Sequence, residues 1–184
     1  MIELLHRLRE MPLYRELLAA VHSSEGNTLE GDDDRALARL STIVRTLEKH
    51  RPLSVIETGT QKGLFGLILI ENLFTFRLTT FDINPESAKA AELLGARFVL
   101  GDTRQTFSAW NETADFAWID GGHWGGVAAS DIRNAMRLGI PVILVDDMDI
   151  PEVLHDVAVV AAENPGYRLS RDGEIAIFEK ELAK

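Results

Sequence analysis

The 184-residue chain has no cysteine, so disulfides, thiolate metal sites and a cysteine nucleophile are all excluded. It has no apolar run of the roughly 18 residues that a membrane span needs. Its first residues, MIELLHRLREMPLYRELLAA, scatter charges among the apolar positions instead of forming the apolar core of a secretory signal. The expected compartment is therefore the cytoplasm. The sequence also has no cluster of lysine and arginine, and its formal net charge is −10. A nucleic-acid binder offsets phosphate charge with a basic face, and an anionic membrane surface asks for the same. Neither is expected as a partner.

The composition is that of a globular protein, with 46% hydrophobic and 26% charged residues. The length suits one domain able to bury a core without staples. The texture divides it into residues 1–50, an N-terminal helical extension, and residues 51–184. In the first part, IELLHRLREMPLYRELLAAV has helical spacing with a break near Pro12. SSEGNTLEGDDD, 23–34, reads as a polar loop, its acidic run a solvated helix start, and RALARLSTIVRTLEKH as a further helix. The apolar stripes of IELLHRL and YRELLAAV would be exposed if unpaired, which suggests a homodimer through these helices.

From residue 52, short apolar runs alternate with helical stretches. LSVIET, LTTFD, RFVLGD, DFAWID and PVILVD read as strands. Helices are expected over 62–74, 84–95, 103–110, 125–138 and 151–163, with Asn84 as a cap and Gly95 as a stop. Continuous apolar runs indicate strands buried on both faces. The alternation indicates an α/β fold with a doubly wound parallel sheet. YRLSRDGEIAIFEK, with Asp172-Gly173 between two strand-like pieces, predicts a terminal antiparallel hairpin.

The turn VIETGTQKGLFG puts Glu57, Gly59 and Gly63 between a strand and a helix, where glycine lets a ligand approach the backbone. It is neither the GxGxxG of dinucleotide binders nor a P-loop, since Lys62 precedes its glycine. The next strand ends in Asp82, at a distance that suits a ribose diol. Asp102 follows the third strand and is equally suited to cap the helix after it.

These features resemble the class I S-adenosylmethionine-dependent methyltransferases over residues 52–180. The resemblance implies a Rossmann-like sheet of order 3-2-1-4-5-7-6 whose last inserted strand is antiparallel. It implies that Gly59, Thr60 and Gly63 face the methionine moiety and Glu57 its amino group. Asp82 would bond the ribose hydroxyls, Asp102 and Thr103 would lie beside the adenine, and Asp120 would border the donor.

Two strand ends carry more acid than a fold requires. DFAWIDGGHWGG ends in Asp120 with His123 three residues on, and PVILVDDMD ends in Asp146 and Asp147. Strands four and five would be neighbours in the implied order, so three carboxylates gather at one edge. Such a group needs a counter-charge. No lysine or arginine is adjacent in sequence, and a divalent cation, Mg2+ first, is the simplest supply. A bound cation and a nearby histidine together suit the deprotonation of a hydroxyl. The segment is similar to metal-dependent O-methyltransferases with an Asp-x-x-His segment. That resemblance implies Asp120, Asp146 and Asp147 as metal ligands, His123 as base and a small-molecule acceptor. Trp124 would line the pocket, Trp110 and Trp118 belong to the core, and Asp131 is expected as a surface or capping carboxylate. A metal-dependent hydrolase or hydroxylase on the same fold, and a binding protein without catalysis, are the alternatives.

Overall fold

Strand and helix alternate because the apolar runs are short and the turns between them are polar or glycine-bearing. The computed structural model describes residues 1–21, 34–73 and 75–181. The N-terminal part gives α1 (Ile2–Glu10), α2 (Pro12–Ala20) and α3 (Asp34–His50). Met11 is extended and Pro12 opens α2, so the break falls where proline has no N–H to give. The loop read over 23–34 lies outside the described residues except for Asp34, which begins α3.

The remainder runs β1 (Ser54–Thr58), α4 (Leu64–Asn72), β2 (Arg77–Asp82), α5 (Ser87–Leu93), β3 (Arg97–Leu100), α6 (Thr103–Thr106), β4 (Phe116–Ile119), α7 (Val127–Arg137), β5 (Val142–Val145), α8 (Pro151–Glu163), β6 (Tyr167–Asp172) and β7 (Ile175–Lys180). Among the described residues these seven strands form one sheet of order β3-β2-β1-β4-β5-β7-β6. β7 runs antiparallel to both β5 and β6, and the other pairs are parallel. This is the architecture that the resemblance implies.

Both faces of the sheet are buried, and alternate residues serve each. Val55, Phe116, Trp118, Val142 and Leu144 pack under α1–α4. Ile56, Ala117, Ile119, Ile143 and Val145 pack under α7 and α8. Leu8, Leu17, Leu40 and Leu47 are fully buried, so the apolar stripes of α1–α3 have a partner within the chain.

Asn84 caps the tight turn that leads into α5, its side-chain carbonyl accepting from the Glu86 N–H at 3.0 Å, and the regular helix begins at Ser87. One local expectation shifts. The hairpin turn is Gly173-Glu174 rather than Asp172-Gly173, since Asp172 still pairs with Ile175. Gly173 has φ +61°, the left-handed conformation that glycine adopts without cost.

Candidate active site

At the carboxyl end of β1 the chain leaves the sheet through Gly59, at φ +88°. A Cβ there would sit 1.9 Å from the Asp120 carbonyl oxygen. Only glycine lets the β1 and β4 exits lie this close. Gly63 opens α4 at φ +74°, where a Cβ would meet a Leu94 methyl at 2.7 Å.

Glu57 is 1% exposed and accepts from the Thr80 hydroxyl at 2.6 Å. Burial pushes its carboxyl up to about 8; the Thr80 hydrogen bond works against this, and the Asp82 charge adds to it. A buried acid held neutral in this way is poised to ionise against an incoming cation. Around it lies a small cavity of about 30 Å³ that includes Gly59, Thr60, Trp118, Asp120 and, from α3, Ile43. Asp82 ends β2 and accepts from the Gln61 N–H and the Asn84 N–H, each at 2.8 Å, and from the Ser87 hydroxyl at 3.1 Å.

A larger cavity of about 580 Å³ continues from Gly59 and Asp82 along Asp102 and Thr103 to Asp120, His123 and Trp124. Of the residues expected around the donor, Gly59, Asp82, Asp102, Thr103 and Asp120 line this larger cavity, Glu57 and Thr60 line the smaller one, and Gly63 lines neither. Asp102 also caps α6, accepting from the Arg104 N–H at 2.9 Å, and the paired Arg104 side chain holds its carboxyl below the usual range. Trp124 is 65% exposed at the rim of the cavity. Trp118 is buried and stacks on Phe65 with ring centroids 5.1 Å apart.

At the other end of the cleft, Asp120, His123 and Asp147 offer donor atoms that all lie within 4.8 Å of one another. His123 Nε2 is 3.0 Å from Asp147 Oδ2. Asp147 has φ +59°, a strained conformation for a residue with a side chain, and one that aspartate tolerates better than most. Asp146 stands apart from this trio. It is 2% exposed, its Oδ1 takes the Asp147 N–H at 2.9 Å, and its Oδ2 is buried with no hydrogen-bond partner among the described residues.

The counter-charge missing from the neighbouring sequence comes from α3. Arg39 puts Nε 3.1 Å from Asp146 Oδ1, and its Nη2 lies 2.9 Å from Asp147 Oδ1 and 3.2 Å from Glu174 Oε2. A divalent cation is therefore not the sole means of balancing these carboxylates. Burial, then the charges of Asp146 and Asp147, push the Asp120 carboxyl well above its ordinary range, against Arg39. Burial also raises Asp146, again against Arg39. Burial acts the same way on Asp147, but the hydrogen bond from His123 and the charge of Arg39 outweigh it and hold that carboxyl low.

Asp131 departs from its expectation as a surface or capping group. It is 0% exposed on α7, beneath the Gly121 turn. Burial pushes it up to about 7, while the Thr103 and Thr58 hydroxyls facing it oppose the rise without closing a well-formed hydrogen bond. Its spacing between the buried Ala128 and Ala135 is the sequence signal that places it inward.

The family described as a methyltransferase domain matches residues 56–148, half of the chain, from β1 to just past Asp147. The chain belongs to this family. It is a class I S-adenosylmethionine-dependent methyltransferase. No curated protein matches this methyltransferase by sequence. Among solved structures, it is similar to the SAH-bound methyltransferase PaMTH1 of Podospora anserina, with a TM-score of 0.70, 13% identity and coverage of 98% of this chain and 94% of that one. It is similar to cofactor-bound Rv0187 from MTB, with a TM-score of 0.72, 17% identity and coverage of 93% and 90%. The O-methyltransferase from Bacillus cereus in complex with SAH gives a TM-score of 0.64, 14% identity and coverage of 96% and 90%. At these identities the likeness is one of fold. The matched family stretch holds all the expected site residues but not Arg39 or Glu174.

Proposed function

We propose that this methyltransferase acts on a hydroxyl oxygen of a small molecule. The observation that carries the reading is that one cavity joins Asp82 and Asp102 at one end to Asp120 and His123 at the other. Asp82 would take the ribose hydroxyls of the donor, Glu57 its amino group, and Asp102 with Thr103 its adenine edge, while Gly59, Thr60 and Gly63 would face the methionine side. Bound there, S-adenosylmethionine supplies a methyl group on a positively charged sulfur.

The acceptor hydroxyl must lose its proton as its oxygen takes the methyl group. His123 is the group to receive that proton. Its ring is fixed by Asp147, and a carboxylate so placed makes an imidazole more basic. The donor set of Asp120, His123 and Asp147 also fits a divalent cation, because carboxylate oxygens and an imidazole nitrogen converge on one point. Such a cation lowers the pKa of a hydroxyl that it contacts. Asp120 and Asp147 would hold it, with Mg2+ suited to the two oxygens. The compact donor set favours a second use of His123, as third ligand instead of base. Mn2+ affinity distinguishes the two: it survives His123→Ala if the ring is the base and falls at least tenfold if it is a ligand.

The inner faces of α1–α3 are buried in the chain's own core. The direct test is calorimetric titration with S-adenosylhomocysteine. Micromolar binding to the wild type, weakened at least tenfold by Asp82→Ala, is expected. Equal binding by both would overturn the placement of the donor.

A further inference from the structure

Arg39 belongs to α3, outside the stretch that matches the methyltransferase family, yet its side chain is 15% exposed and lies among three acids of the site. Its guanidinium bridges Asp146 Oδ1 and Asp147 Oδ1 from two different nitrogens and meets Glu174 of the β6–β7 turn. Glu174 is held in turn by Arg35, which also pairs with Asp149 at 2.8 Å. The result is a guanidinium shared among three carboxylates, an ion-pair cluster and not a two-pronged hydrogen bond to one of them.

We propose that Arg39 is the resident cation of the acidic site and sets its metal affinity by withholding Asp146. The inference rests on the cation reading given above. Asp147 divides its oxygens, with Oδ1 to Arg39 and Oδ2 to His123. Asp146 gives Oδ1 to Arg39 and to the Asp147 N–H, while Oδ2 is buried with no hydrogen-bond partner among the described residues. A divalent ion entering this site meets Asp120, His123 and one oxygen of Asp147; Asp146 lies outside that cluster of donor atoms, and its carboxylate can turn toward it only if Oδ1 gives up the guanidinium. Departure of the guanidinium would strand three carboxylates in a largely buried setting, which is costly. Arg39 therefore lowers cation affinity in two separable ways, by its charge and by its occupation of Asp146. The N-terminal helices thereby contribute a metal-tuning residue to a site otherwise built by the family stretch.

The experiment is a titration of the metal-free full chain with Mn2+ alone, followed by the electron paramagnetic resonance of the free ion. Arg39→Met is expected to bind Mn2+ at least tenfold more tightly than wild type. Arg39→Met with Glu174→Gln keeps the wild-type formal charge and leaves no new unpaired acid at Glu174, which protects the fold. It is expected to retain the gain, because Asp146 remains free. Arg39→Met with Asp146→Asn is expected to return to within threefold of wild type. Wild-type affinity in the Arg39→Met/Glu174→Gln variant would show a charge effect alone and overturn the withholding of Asp146. Equal Mn2+ affinity in wild type and Arg39→Met would also overturn it while leaving the cation reading intact. No Mn2+ binding by any of the four proteins would remove the cation reading and this inference together.

Discussion

Glu57, the buried acid proposed to take the donor's amino group, also makes stability depend on pH. Burial pushes its carboxyl up to about 8 against an ordinary 4.5. Between those two pH values the folded chain keeps a proton that the unfolded chain has given up, so this group makes stability fall as pH rises through the window. Glu57→Gln removes the liability, and its melting temperature at pH 8 is expected to exceed that of wild type, with the difference vanishing near pH 4. The same variant is expected to bind S-adenosylhomocysteine at least tenfold more weakly, since a neutral amide accepts a hydrogen bond from an ammonium group but forms no ion pair with it. Titrations at pH 7 in buffers of different ionisation enthalpy should show about one proton released per donor bound by wild type. The variant should release none. An unchanged proton count would place the amino group elsewhere.

At the scale of elements, continuous apolar runs such as VILV and FAWI identified the strands correctly, because both faces of the sheet are covered and every position is buried. Local polar competition was harder to read. Asn84 has the chemistry of a helix cap and accepts from the Glu86 N–H, but a tight turn through Pro85 and Glu86 precedes the regular helix, so α5 starts at Ser87. The hairpin was legible from Asp-Gly, although the register of β6 on β7 puts Gly173 first in the turn. At φ +61°, with nothing within 4 Å of a Cβ placed there, Gly173→Ala is strained without being crowded. It is expected to cost about 1 kcal/mol of stability in denaturant unfolding and to leave donor affinity unchanged. A much larger loss would mean that the turn is more tightly built than its open surroundings indicate.

Over the whole molecule, the sequence revealed which acids stand at the strand ends but not what balances them. Arg39 and Asp146 are over a hundred positions apart, and only the packing of α3 against the sheet brings them together. A need for positive charge was evident; that an arginine of the N-terminal helices meets part of it was not. Asp131 was misplaced for a related reason, since a lone acid on a helix reads as exposed unless its spacing from Ala128 and Ala135 is weighed. The N-terminal helices are structural as well. Leu8 of α1 is 0% exposed in the core shared with β1 and β4. Leu8→Ala is expected to cost roughly 2–5 kcal/mol in chemical denaturation. A cost below 1 kcal/mol would show that α1 is only loosely attached to the sheet.

The proposed function requires a donor cleft that opens directly onto a cation-binding acceptor end. A crystal structure of the protein grown with S-adenosylhomocysteine and Mn2+, with anomalous data, examines both at once. The expected result is the adenosine ribose on Asp82 and one anomalous peak within bonding distance of Asp120 and Asp147. A donor product seated between β1 and β2 with no peak at those carboxylates, or a peak found elsewhere, would contradict it.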